Sequence, residues 1–345
     1  MEPTSGRGDV PGAGFWKGAY TVSKKRKLID YEENVKLNGN KQNIRVYTYD
    51  KNNPVLLFLH GGPGVCDRHW VIHFQKELAK DYTMVLWDQR GAGKSYRFFK
   101  TKRGDLHTSM YKEDTAALIE YLCKKFKKDK IVVFGHSWGT VLGTWVSYHH
   151  PEHIAAYVGQ GQVIDLVRNE EISYNFVMQE AMKAGDKKTI KAIKDHPPVN
   201  GAYTDQKAMM AQRDGLGKYG GEEWKNRGGI VQTLLIPILK WNGYGPIEIV
   251  KYALGALYQT DVLWGEVIKE NFMKEVPELK MPVLLTIGRH DYNTPFELAQ
   301  EWFDALKAPR KEWAWFEESA HSPIKEEPEA WYAAVKPFLD SLDLK

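Results

Sequence analysis

Short apolar runs alternate with longer amphipathic stretches along most of the chain, a rhythm that predicts strands and helices in turn. From about Lys27 to Asp50 polar and apolar positions alternate and break at Asn38-Gly39-Asn40, as in an antiparallel hairpin. Val55–Leu59, Thr83–Trp87, Ile131–Phe134, Ile154–Val158 and Pro282–Ile287 are short, mostly apolar runs, the pattern of strands covered on both faces. Between them lie stretches such as Tyr111–Phe126, whose apolar positions recur every three or four residues, as on one face of a helix. Strands alternating with helices predict an α/β fold with a mostly parallel central sheet flanked by helices. Such sheets keep their chemistry at the carboxyl ends of the strands. The glycine-rich turns of this chain fall there: His60–Gly64 after the first apolar run, Asp88–Gly91 after the second, Gly135–Gly139 after the third and Gly288–Asp291 after the last.

Residues 162–281 depart from this rhythm. They carry helical stretches at Asn169–Ala184 and Lys187–Lys194, a polar, turn-rich section around Pro197–Gly229, and aromatic helices through Tyr252–Trp264. The expectation is a mainly helical cap inserted between two strands, with the α/β core split into 15–161 and 282–345. Residues 1–14, rich in Gly and Pro and without an apolar signal core, are expected to be a disordered tail.

Composition narrows the function classes. The 345 residues carry 48 basic and 44 acidic side chains, a net charge of +4 too evenly balanced for a dedicated nucleic-acid binder. The lysine runs at Lys24–Lys27 and Lys124–Lys130 read as solvated surface or a helix end. No run approaches the roughly 18 apolar residues of a membrane span, so no membrane contact is expected. Two cysteines, Cys66 and Cys123, make no disulfide framework, which fits a reducing cytoplasm.

Gly135-His136-Ser137-Trp138-Gly139 is a Gly-x-Ser-x-Gly string between an apolar strand and a predicted helix. A serine on so sharp a strand-to-helix turn has its hydroxyl exposed, and the helix amino end offers free N–H groups to a developing oxyanion. Ser137 is the candidate nucleophile. It needs a base, and in this fold the acid and then the histidine follow the serine in chain order. Asp291 follows the strand at Pro282–Ile287, and His321 lies in Ser319-Ala320-His321-Ser322-Pro323. His321 is the candidate base and Asp291 the acid that orients it, with Asp165 the alternative acid. His136 and His290 are expected to line or support the site, and His149, His150 and His153 to cap a helix end. In His60-Gly61-Gly62-Pro63-Gly64 a backbone amide can face the oxyanion. Gly62 and Trp138 are the candidate amide donors. Gly61, His136 and Cys66 are placed beside the substrate, Cys66 as a passive thiol. His69 and His73 lack the glutamate a zincin needs, and Gly91-Ala92-Gly93-Lys94-Ser95 lacks the first glycine of a P-loop. No metal or cofactor is expected.

His60–Gly64, Trp87–Ser95, Gly135–Thr140 and Gly288–Asp291 together resemble the proline iminopeptidase branch of the α/β hydrolases, with Asp88-Gln89-Arg90-Gly91-Ala92-Gly93-Lys94-Ser95 the most specific string. The resemblance spans about two thirds of the chain, on both sides of the cap. It implies a cofactor-free serine hydrolase that removes an amino-terminal residue, commonly proline, from a small-molecule or short-peptide substrate through an acyl-enzyme. Family members hold the substrate ammonium with cap carboxylates, and here the available acids are Glu170, Glu171, Glu222 and Glu223. For each of the four, a solvated surface position is the expectation against which amine binding stands. Trp241, Tyr244, Tyr252, Tyr258 and Trp264 can wall a pocket or form the cap core, and Trp241 is the candidate among them for substrate contact. An esterase, lactonase or amidase with the same three residues and a repurposed cap is the alternative.

Overall fold

The computed structural model describes residues 27–98, 101, 104, 106–203, 206–227, 236–241 and 244–344. The tail expected at 1–14 and all but the last residue of the Lys24–Lys27 run lie outside the described residues. Among the described residues, eight strands form one sheet: β1 (Ile29–Leu37), β2 (Asn40–Thr48), β3 (Val55–Leu59), β4 (Thr83–Asp88), β5 (Ile131–His136), β6 (Ile154–Gln160), β7 (Val283–Gly288) and β8 (Lys311–Phe316). Their order is β1-β2-β4-β3-β5-β6-β7-β8. The hairpin at the amino end is antiparallel to its neighbours, and β4, β3, β5, β6, β7 and β8 run parallel.

β3, β4, β5 and β7 are buried at every position, and β6 at all but Ala155, because helices cover both faces. α1 (Arg68–Gln75) and α12 (Pro328–Asp340) pack on one face, where Val71, Trp331, Val335 and Phe338 meet Phe58, Val132 and Phe134. On the other face, α2 (Thr108–Phe126), α3 (Trp138–His149) and α10 (Phe296–Ala305) bring Leu118, Leu122, Val141, Leu142 and Trp302 against Leu57, Val133 and Leu285. Alternate residues of each strand thus feed two separate apolar layers, as the period-two geometry of a strand requires.

Between β6 and β7 the chain forms the helical cap: α4 (Leu166–Lys183), α5 (Lys187–Ile193), α6 (Gln206–Tyr219), α7 (Ile236–Trp241), α8 (Pro246–Val267) and α9 (Phe272–Glu275). The section read as turn-rich, Pro197–Gly229, holds the fourteen-residue helix α6. Gly215 and Gly217 weaken its helical signal, yet Gly215 is what lets α6 approach α4, since a Cβ there would overlap the Val177 side chain. A last short helix, α11 (Pro323–Glu326), follows the histidine loop. Among the described residues no helix is long and apolar enough to cross a membrane.

Candidate active site

Ser137 occupies the turn between β5 and α3 with φ 53° and ψ −121°, a conformation that L-residues rarely adopt. Close packing forces this turn. A Cβ on Gly139 would overlap the Leu59 carbonyl oxygen, and one on Gly135 would come within 2.6 Å of the Gly139 oxygen. Any larger residue at either place would push the helix off the sheet and lift the serine from its position. The Ser137 N–H donates to the Gln160 carbonyl at 2.9 Å, tying the turn to the end of β6.

The acid and the imidazole meet as the motifs suggest. His321 Nδ1 lies 3.0 Å from Asp291 Oδ2, with both side chains buried. Asp291 Oδ1 accepts from the Asn293 and Thr294 amides at 3.0 and 2.8 Å, while the Thr294 hydroxyl donates to Oδ2 at 2.8 Å. The Thr294 oxygen also stands 3.1 Å from His321 Nδ1. Thr294 was missed in the sequence, although Asp-x-x-Thr is the signature of a carboxylate folded back on its own turn. Burial opposes charge on the His321 ring, but the Asp291 carboxylate against Nδ1 wins and pushes its pKa up to about 9. Gly161, φ 56°, lies directly against the His321 ring. The Gln160-Gly161 turn therefore touches both the serine and the histidine.

The glycine-rich loop after β3 places Gly61 so that a Cβ on it would lie 3.2 Å from Ser137 Cβ. Gly62 follows at φ 114°. The Trp138 amide sits in the first turn of α3, where a helix has no acceptor of its own to offer. The Asp-Gln-Arg-Gly string holds these parts in register. Gln89 Nε2 donates to the His60 carbonyl, Gln89 N donates to His60 Nε2, and Gln89 Oε1 accepts from Trp138 Nε1, all at 3.0–3.1 Å. His60 therefore carries its proton on Nδ1, which donates to the Gly61 carbonyl at 2.8 Å. Arg90 grips Asp114 of α2 with both Nε and Nη2. Asp88 accepts from Arg68 Nε, the Lys94 amide and the Tyr244 hydroxyl of the cap.

The remaining candidates divide. Cys66 is 1% exposed, packed with Ala92, Tyr244 and Tyr252, and 3.6 Å from His60 Nε2. Burial pushes its thiol pKa well up, which suppresses the thiolate. His136 is buried beside His321, ring centroids 5.0 Å apart. His290 stacks on Trp224 at 3.5 Å and faces the Glu317 carbonyl, supporting the acid loop from outside. Asp165 caps α4 and accepts from Asn271, which occupies it structurally. The side chain of Trp241 lies outside the described residues.

The cap acids overturn the expectation of solvated positions at three places. Only Glu171 is exposed, and it turns away from the others on α4. Glu170, one residue earlier, is buried and accepts from Arg213 Nη2 at 2.7 Å, and its Oε2 has no partner. Glu223 is buried against Lys325 of α11, and burial raises its pKa to about 7. Glu222 lies beside the histidine loop: its carbonyl accepts from the His321 amide at 3.1 Å, and its Oε2 accepts from Asn293 Nδ2 at 2.6 Å. Burial and neighbouring Asp291 push the Glu222 carboxyl up, offset in part by His321, Lys325 and Arg213. For Glu222 and Glu223 the surface expectation failed because the strap 220–227 folds back over the histidine loop, a contact about a hundred residues apart in the chain; for Glu170 it failed because α6 brings Arg213 against α4.

Comparison with known proteins places the chain in a family. The model of the α/β hydrolase fold matches residues 54–190. The chain is 31% identical over 308 residues to a Bacillus subtilis (strain 168) protein named "Probable aminopeptidase YbaC", covering 88% of this chain and 94% of that one. It is 27% identical over 297 residues to a proline iminopeptidase of Heyndrickxia coagulans, covering 85% and 94%. The solved proline iminopeptidase of Mycobacterium smegmatis shares the fold with a TM-score of 0.62 at 18% identity, covering 90% of this chain and 98% of that one. The chain belongs to the α/β-hydrolase family, and it is a hydrolase. Within that family it falls in the proline-iminopeptidase-like branch.

Proposed function

We propose that the chain is a serine hydrolase of aminopeptidase type, which removes the amino-terminal residue of a small-molecule or short-peptide substrate through an acyl-enzyme. Ser137 attacks the carbonyl while His321 takes the hydroxyl proton and passes it to the leaving amine. Asp291 keeps the imidazole proton on Nδ1 and stabilises the imidazolium. The amides of Gly62 and Trp138 receive the oxyanion, where one donor is worth about 10²–10³ in rate. Water, activated by His321 in turn, releases the acyl group. The reaction as written uses only side chains and backbone amides. Two buried thiols without a disulfide, Cys66 and Cys123, fit a cytoplasmic setting.

The observation that carries the peptidase reading is Glu222, a cap carboxylate whose own carbonyl holds the His321 amide. Its Oε2 is taken by Asn293, and Oε1 has no hydrogen bond among the described residues. A substrate ammonium within reach of His321 would find that oxygen and, deeper in the cap, the unpartnered Oε2 of Glu170. A buried cation needs such a pairing. One observation favours the second reading, an esterase, lactonase or amidase acting on an uncharged substrate. Arg213 already neutralises Glu170 and reaches toward Glu222, so the cap offers one net negative charge rather than two.

The test compares Pro-, Ala- and Leu-arylamides, their N-acetylated forms, and acetyl and butyryl aryl esters. The peptidase reading expects turnover of the free amines and its loss on acetylation. Glu222→Gln should then raise KM for the amines by about 10- to 100-fold, the worth of a hydrogen bond to a charged group, and leave the esters within about threefold. Equal turnover of free and blocked amines, or indifference of the amines to Glu222→Gln, removes it.

A further inference from the structure

A second carboxyl–imidazole pair stands behind the nucleophile, at Asp67 and His136. Asp67 Oδ2 and His136 Nδ1 are 3.9 Å apart. Both atoms are buried, and neither has a hydrogen-bond partner. That spacing leaves no room for a water and is about 1 Å beyond a hydrogen bond, so a small rotation of either side chain closes it. Buried orphaned polar atoms are costly, and two that face each other point to a shared proton. The other ring nitrogen of His136, Nε2, lies 3.3 Å from Ser322 Oγ, on the residue directly after His321. The His136 ring also lies 5.0 Å from the His321 ring and is braced edge-on by Trp70.

We propose that Asp67 and His136 are positioning residues: they share one proton, and its location sets the His136 tautomer and, through Ser322, the setting of His321. With Asp67 neutral, its O–H donates to Nδ1, and the His136 proton sits on Nε2 and donates to Ser322 Oγ. When Asp67 loses its proton to solvent, the imidazole proton moves from Nε2 to Nδ1 and donates to the carboxylate. The Ser322 hydroxyl then turns to donate to Nε2. One proton leaves, no heavy-atom bond changes, and the imidazole never becomes charged. The resulting carboxylate also favours the imidazolium that forms at His321 during the reaction.

The surroundings support this order of events. Burial raises the Asp67 carboxyl to about 8, with Asp88 adding to the shift and Arg68 opposing it. Burial holds His136 well below the usual histidine range, with the His321 ring, Lys325 and His60 adding to the shift and the His321 backbone opposing it. Tyr252 of α8 faces Asp67, and Tyr244 and Cys66 face Asp88 and Arg68; burial holds all three protonated. His69, buried on the same helix as Arg68, is kept neutral with a pKa of about 3. Asp67 is therefore the group facing His136 Nδ1 that changes charge near pH 8, and His321 on the other side of the ring loses its charge higher, near 9.

The inference rests on the proposed role of His321, but its direct test needs no substrate. In protein labelled with ¹⁵N-histidine, His136 is assigned by its loss in His136→Gln and followed from about pH 6 to about pH 9.5. The expected result is an exchange of the Nδ1 and Nε2 shifts between protonated and unprotonated values, without passage through the imidazolium. One unchanging tautomer, or an imidazolium, overturns the proposal. Asp67→Asn, an amide that cannot titrate, should hold His136 in one tautomer across the same pH range. Its kcat on an acetyl aryl ester should match wild type at about pH 6.5 and fall by about three- to tenfold at about pH 9.5, with KM unchanged. A ratio independent of pH overturns the coupling to His321. Should Asp67→Asn fail to fold, the ¹⁵N measurement on wild type decides alone. Failure of the Ser137–His321 reading would show separately, as fluorophosphonate labelling that survives Ser137→Ala.

Discussion

Gly161→Ala tests whether the turn after β6 holds the His321 imidazole in place. A Cβ at residue 161 would lie 2.6 Å from His321 Cε1, 2.8 Å from Nδ1 and 3.2 Å from Thr294 Oγ1. Ordinary contact begins at 3.4 Å, so the ring must retreat by about 0.8 Å. It has nowhere to go without loss. Nδ1 is held by Asp291 and Thr294, the backbone by the Glu222 carbonyl, and His136 stands beside the ring. A retreat of this size would stretch the 3.0 Å bond to Asp291 beyond hydrogen-bonding range. Misplacement by about 1 Å costs about 10²-fold, so kcat/KM on an acetyl aryl ester should fall by about 50- to 200-fold, with fluorophosphonate labelling slowed alike. Alanine at φ 56° adds about 1–2 kcal/mol of backbone strain, read as a lower denaturation midpoint. Gly185→Ala is the control: φ is 65° and nothing lies within 4 Å of its Cβ, so it should lose comparable stability and keep full activity. A Gly161→Ala enzyme that is folded and within twofold of wild type would refute the claim that this turn positions His321.

Other expectations follow from the same site. Asp291→Asn should lower kcat/KM by about 10³–10⁴-fold in steady-state assays, because an amide can stabilise the wrong imidazole tautomer and cannot balance the imidazolium. The base must be neutral to accept the serine proton, so kcat/KM of wild type should rise with pH and level off above about 9, the His321 pKa. The same raised pKa gives the sign for stability. The His321–Asp291 contribution is fully present below the unfolded histidine value of about 6.5 and is lost as pH rises through about 9, so the thermal midpoint should decline over that interval. Lys325→Met would leave the buried Glu223 carboxylate unpaired and cost about 3 kcal/mol in chemical denaturation, with Glu223→Gln/Lys325→Met recovering most of it. No recovery in the double variant would show that the ion pair is not what fastens the strap to α11.

Local features carried much of this protein into view before any coordinates. Five apolar runs of strand length, four of them ending in a glycine-rich turn, were enough to read the sheet and the edge at which its chemistry lies. Gly-x-Ser-x-Gly and the chain order of serine, acid and histidine pointed to Ser137, Asp291 and His321, because a sharp strand-to-helix turn and a strand-end loop depend on residues that are neighbours in sequence. Other features were decided only by the folded chain. Thr294 bridging acid and imidazole, Gly161 against the His321 ring, and Gln89 joining the His60 loop to Trp138 are meetings of segments brought together by strand order. The cap acids show the limit most plainly. Glu170 and Glu171 are adjacent and chemically identical, yet a helix points one inward to Arg213 and the other to solvent. Glu222 reaches the acid and histidine loops because a strap of the cap pairs with His321 and Asn293 far along the chain. Burial and charge pairing depend on every segment that surrounds a group, so they emerge only when the whole chain is packed.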